Sequence, residues 1–177
     1  SFELVVVFMN TPEWARINPP QGNATHTAPP QSPATFAKFA YTFASRYGDT
    51  VDYYQIWDEP NLDDNWGLLD PKPTDYVALL SEAYTTIHNA DPSATIIAAA
   101  LAPTTETHGQ NISDIRYLEA MYQRGAKEVM DVVSGKPYGF SDSPLERTVD
   151  ESTLNFSRII ALREVMITNN DGTTPLW

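Results

Sequence analysis

The sequence predicts an α/β fold of parallel strands alternating with helices, part of a (β/α)8 barrel, on three observations. Short apolar runs suited to strands alternate strictly with helical stripes along all 177 residues, and such alternation implies parallel pairing through helical crossovers. No Gly-x-Gly-x-x-Gly follows any strand, which removes the usual dinucleotide signature of the other architecture that fits, a doubly wound open sheet. Polar and acidic residues gather at the end of strand after strand, where a barrel places its chemistry.

The first strand is the run Leu4 to Met9, which ends in a turn, Asn10 to Ala15, carrying Trp14. Residues 16–32 are rich in Pro, Asn, Gln and Thr without apolar periodicity, so they read as a long loop. Ser32 and Pro33 suit an N-cap and first helical position; Phe36, Phe39, Ala40, Phe43 and Tyr47 mark one face, and Gly48 supplies the stop. A strand over 51–57 follows and runs into Asp58, Glu59 and Pro60. Its unbroken apolar character suggests burial on both faces. Next come an acidic, aromatic loop from Asp63 to Gly67 and a helix capped by Thr74, with Tyr76, Leu79, Leu80, Ala83 and Ile87 as its stripe. Thr95 to Ala100 is a strand, Pro103 to Gln110 a loop, and Ser113 opens a helix stopped by Gly125. Asp131 to Ser134 is a brief strand, Thr153 to Asn169 a helix, and Pro175 to Trp177 the start of a last strand.

Composition narrows the function. A net charge of -12 with only 11 basic residues argues against nucleic acid, and no apolar run is long enough to span a membrane. Without cysteine there is no thiolate metal site or Cys nucleophile. His26, His88 and His108 lack metal-ligand spacing, so neither metal nor other cofactor is expected. The start at Ser1 lacks the features of a signal peptide and reads as the inside of a domain. Localisation therefore stays open, secretion included. Asn23, Asn111 and Asn155 head N-x-S/T triplets, glycan acceptors only in a eukaryotic secretory route.

The chemistry is concentrated at Glu59. A carboxyl at the end of an apolar strand, between Trp57 and Pro60, is expected to be partly desolvated, and burial raises a carboxylic acid's pKa. A raised pKa suits a general acid near neutral pH. Capping a loop or pairing with a surface Lys is the structural alternative. Asp58 would add to the effect if it faced the same way, but alternate residues of a strand point to opposite faces.

Ile56-Trp57-Asp58-Glu59-Pro60-Asn61 resembles the fourth-strand motif of clan A glycoside hydrolases, usually Trp-Asn-Glu-Pro-Asn, with family 39 and its neighbours the nearest match. Thr11 to Ala15 is similar to the loop after their third strand. Ser134 to Phe140 resembles the end of their sixth strand, Ser-x-His-Pro-Tyr-Gly, and Thr174 to Trp177 the start of the seventh. The resemblance implies one domain over 1–177 covering strands three to seven, with strands one, two and eight and most of seven absent. It implies a carbohydrate substrate and a retaining mechanism, with Glu59 as general acid/base and a second carboxylate about 5 Å away acting as nucleophile. That nucleophile follows strand seven in the family, so these residues alone are expected to be inactive. Two exposed sheet edges would also favour self-association.

Two positions depart from the pattern. Asp58 stands where the family has an Asn that donates to the sugar, and Lys136 stands where a His is common. Tyr138 matches a Tyr that contacts the nucleophile. Trp14, Trp57, Asn61, Trp66 and Lys136 are the candidate substrate contacts, although for Trp57 core packing is the favoured reading. A carbohydrate-binding pseudo-enzyme is the second reading, motivated by Asp58 and Lys136. Calcium held by Asp58, Glu59, Asp63 and Asp64 is the third.

Overall fold

In the computed structural model, which describes residues 2–17, 25–107 and 109–177, four main helices lie against a parallel sheet. The sheet consists of β1 (Val5–Phe8), β2 (Tyr53–Asp58) and β3 (Thr95–Ala100), hydrogen-bonded in that order. It continues beyond β3 through parallel bridges from Ile97 to Val132, Leu101 to Gly135 and Val133 to Leu176. Strand order therefore follows chain order across all five segments. A doubly wound sheet would reverse direction at a switch point; the uninterrupted order is that of a barrel wall.

The register Val5 to Tyr53 and Val7 to Gln55 puts these four side chains on one face, and Val6, Phe8, Tyr54 and Ile56 on the other. The second face is covered by helices, and Tyr54 and Ile56 are fully buried there. Val5 and Val7 on the first face are half exposed. Burial on both faces, expected for the strand 51–57, is thus reached only in β3, which has a strand on either side. Over β2, the Trp177 ring reaches the Tyr53 ring, with centroids 5.4 Å apart.

Helix α1 (Pro33–Tyr47) starts as the sequence predicts, with Ser32 as N-cap and Pro33 in the first turn. Its aromatic stripe is split. Ala37, Ala40 and Ala44 join Phe36 as the buried positions, their small side chains allowing close approach, and α1 packs on α2. Phe39 and Phe43 flank them and close edge-on around Phe8 at 5.2 and 5.0 Å, leaving Phe39 and Tyr47 partly exposed. Helix α2 (Pro73–Ala90) begins two residues earlier than a Thr74 cap implies, because Pro73 takes the first helical position after Lys72. Its Tyr76, Leu79, Leu80, Ala83 and Ile87 are buried as the periodicity predicts. Each buried aliphatic side chain contributes about 1.5–3 kcal/mol relative to exposure.

Helix α3 is Asp114–Tyr122 and α4 is Ile159–Thr168. The helix predicted from Thr153 starts late, for a physical reason. The Arg158 guanidinium takes the carbonyls of Asp150, Glu151 and Thr153 at 3.0–3.2 Å, so those groups are held by a side chain and not by helical amides. Asn155 is buried, its amide donating to the Thr148 carbonyl at 2.9 Å, so it is no accessible glycan acceptor. Asn23 and His108 lie outside the described residues.

Candidate active site

The site forms where β2 ends. Two backbone features decide its geometry: Trp57 has φ 72° and Glu59 φ 49°, both in the left-handed region that non-Gly residues seldom adopt. The alternation of side chains is broken there. Asp58 and Glu59, neighbours that a regular strand would separate, both reach Lys136, which arrives from the segment after the bridge at Gly135. Lys136 Nζ donates to Asp58 Oδ2 at 2.8 Å and to Glu59 Oε1 at 2.7 Å.

The shell around them is built from the same strand and the loop that follows. Asn65 Nδ2 donates to Glu59 Oε2 at 2.7 Å, so each oxygen of Glu59 has a donor. The Trp57 indole N–H holds the Asn65 carbonyl at 2.8 Å, which seats that loop. Gln55 Nε2 donates to the carbonyl of Trp57 at 2.9 Å, with Asp58 Oδ1 at 3.4 Å. The loop also leans on residues 25–30, where the Thr27 hydroxyl donates to the Asp64 carbonyl at 2.6 Å. Gly67, at φ 76°, is required there, since a Cβ would sit 2.4 Å from the Ala28 Cα.

All three charged side chains are only about one-fifth to one-quarter exposed, at 19% for Lys136, 25% for Asp58 and 19% for Glu59. Burial alone pushes the Lys136 ammonium towards deprotonation. The hydrogen bonds and charges of Asp58 and Glu59 together outweigh it, and the pKa lies above the ordinary lysine value.

Among the expected site residues, Glu59, Asp58 and Lys136 are brought together. Three others are buried in this structure and make structural contacts. Trp57 is fully buried, packed between Phe36 and Trp66, with its N–H spent on Asn65. Trp66 is buried between Trp57 and Tyr76. Asn61 is fully buried and ties three backbone groups, donating to the Ala102 and Ile112 carbonyls and accepting from the Ala102 N–H. None of the three offers a face to a ligand. Trp14 is 78% exposed and walls a groove of about 250 Å³ with Met9, Pro12, Phe36 and Phe39, away from the carboxylates. Tyr138 is half exposed, edge-on to Phe140, and its amide donates to the Lys136 carbonyl. Calcium loses its geometry: Lys136 lies between Asp58 and Glu59, and Asp63 Oδ1 accepts from the Asp64 amide. No cluster of three or more metal-binding side chains occurs among the described residues.

Gln55, Asn65 and Tyr76 were missed by sequence reasoning. Asn65 could have been suspected from its place in the acidic loop. Gln55 was a polar side chain in the middle of a largely apolar strand, which is a signal in itself. Tyr76 gave none, being one member of a helical stripe.

No protein-family model matches the chain, and no curated protein matches it in sequence. Solved structures do match in fold. A monomeric β-xylosidase from Caulobacter crescentus CB15 superposes with a TM-score of 0.61 at 19% identity, over 98% of this chain and 36% of that one. A GH39 enzyme from Xanthomonas axonopodis pv. citri gives 0.60 at 21%, covering 99% and 35%. An α-L-arabinofuranosidase from Thermotoga maritima gives 0.54 at 16%, covering 82% and 31%. The chain spans about a third of the length of these structures. Its fold is that of part of the (β/α)8 barrel that these structures share.

Proposed function

We propose that this chain is the part of a retaining O-glycosidase that carries strands three to seven of its barrel, with Glu59 as general acid/base acting on a β-linked saccharide. The observation that carries the reading is the meeting of Asp58, Glu59 and Lys136 at the C-terminal end of β2, across 77 and 78 residues of sequence. Conserving this end of a strand for chemistry is the habit of barrels. The strain at Trp57 and Glu59 adds weight, because such backbone persists where the surroundings over-determine it and concentrates at functional sites.

In this reading protonated Glu59 gives its proton to the leaving glycosidic oxygen, and the carboxylate then takes a proton from the water that releases the sugar. Its Oε1 must first be freed from Lys136. Asn65 keeps Oε2 and with it the side-chain direction. In this reading the nucleophile is a second carboxylate at the end of strand seven. Among the tryptophans expected to contact substrate, Trp14 is the exposed one, and its groove is apolar as a pyranose face is. Tyr138, half exposed beside Phe140, is the partner proposed for the nucleophile.

The test is Glu59→Gln in a protein that includes strand seven. Turnover of substrates with poor leaving groups should fall roughly 100- to 10,000-fold, with binding retained. Unchanged turnover overturns the reading. One observation favours a second reading, a carbohydrate-binding pseudo-enzyme: both oxygens of Glu59 are already engaged, one by a cation. It predicts saturable sugar binding by that same protein with no turnover before or after the substitution.

A further inference from the structure

We propose that Tyr76 is a positioning residue: its hydroxyl, wedged between β2 and β3, holds Asp58 and Glu59 on one side of the sheet. The ladder between these strands is regular at its start, where the Thr95 N–H donates to the Asp52 carbonyl at 2.7 Å. The two-residue repeat of a parallel ladder would bring the Ala99 N–H onto the Ile56 carbonyl. That bond is replaced by a relay. The Ala99 N–H donates to the Tyr76 hydroxyl at 2.6 Å, and the hydroxyl donates to the Ile56 carbonyl at 2.9 Å.

An inserted oxygen parts the strands by the width of one atom, immediately before the residue whose φ turns positive. Beyond it the register is unchanged, with Asp58 still opposite Ala100, but the bonding residue of β2 has changed: the Glu59 N–H donates to the Ala100 carbonyl at 3.0 Å. No residue is inserted; the left-handed Trp57 instead exchanges which residues of β2 face β3, and this re-aims the side chains that follow. Tyr76 comes from α2, on the helical side of the sheet, and is fully buried between the Trp66 and Tyr117 rings. Burial, partly offset by the Ala99 hydrogen bond and reinforced by the charge of Asp58, keeps its hydroxyl protonated and able to donate. Its part in catalysis rests on the glycosidase reading; its part in placing the carboxylates does not.

The two parts are separable by experiment in the 177-residue chain and in a protein that includes strand seven. In the chain, the Lys136 ammonium is titrated by ¹⁵N NMR. Tyr76→Phe removes the relay and keeps the ring, and its Lys136 midpoint should fall back to that of an ordinary lysine. Tyr117→Phe is the control, since that neighbouring hydroxyl is buried without a hydrogen-bond partner among the described residues; its midpoint should stay at the wild-type value. An unmoved midpoint in Tyr76→Phe overturns the proposal. Should that variant not fold, the wild-type chain decides: a slowly exchanging Tyr76 hydroxyl proton with a cross-peak to the Ala99 amide is expected, and its absence overturns the proposal. In the longer protein Tyr76→Phe should lower kcat on the order of 100-fold with KM unchanged. Full turnover by Glu59→Gln would remove the glycosidase reading and leave the Lys136 titration to decide Tyr76.

Discussion

The Arg158 and Lys136 clusters each hold a cation against carboxylate, and they are built to opposite ends. At Arg158 the guanidinium and the Asp114 carboxylate are 2% and 3% exposed. Every nitrogen of Arg158 is engaged: three bonds to Asp114, the Ser113 hydroxyl, and the carbonyls of Thr104, Asp150, Glu151 and Thr153. That cluster fastens the loops leading into α3 and α4, with no face left for a ligand. At Lys136 the charges remain partly in water, the acceptors are two side chains, and the backbone beneath them is strained at Trp57 and Glu59. Charge and burial alone do not separate a fastening from a candidate site. Saturation of the donors and strain in the supporting backbone do.

The difference can be broken most forcefully at the buried end. Arg158→Met leaves Asp114 charged and unpaired in the interior and should cost about 3–5 kcal/mol in urea unfolding. Removing both charges in Arg158→Met/Asp114→Leu should recover most of it, because the penalty lies in the orphaned charge. If the single variant lost no more than a surface substitution, the cluster would not be the fastening described.

Lys136→Met tests the other end and should cost only about 1 kcal/mol, since its pairs are reached by solvent. The pH dependence sharpens this. The folded state holds the Lys136 proton more tightly than the unfolded chain, so its contribution is complete below the ordinary lysine pKa of about 10.4 and is lost as pH rises through the raised value. Wild type and variant should therefore converge in stability at strongly alkaline pH; a constant gap would show that Lys136 acts through packing alone. Smallest of all, Asp58→Asn should shift stability by a few tenths of a kcal/mol, because Glu59 still engages the ammonium. Such a shift, read by thermal unfolding, would mark Asp58 as present for the site and not for the fold.

Much of the architecture was legible because it rests on local patterns. The α2 stripe from Tyr76 to Ile87 and the Ser32–Pro33 start of α1 needed only helical periodicity and capping chemistry. The late start of α4 was not legible, since it depends on Arg158 collecting carbonyls through partners as far away as Thr104. The tryptophans show the same limit. A ring beside a carboxylate reads equally as platform or core, and only the packing of Trp57 on Phe36 and Trp66 separates them.

Alone, the sequence determined the order of strands and helices and singled out Glu59, because hydrophobic period, proline and glycine placement, and an acidic strand end are local facts. The tertiary structure decided that Asp58 and Glu59 face one way, that Lys136 lies between them, and that Tyr76 stands in the ladder behind them. Side-chain direction at a strand end depends on whether the ladder continues, and that is settled by a hydroxyl from another element.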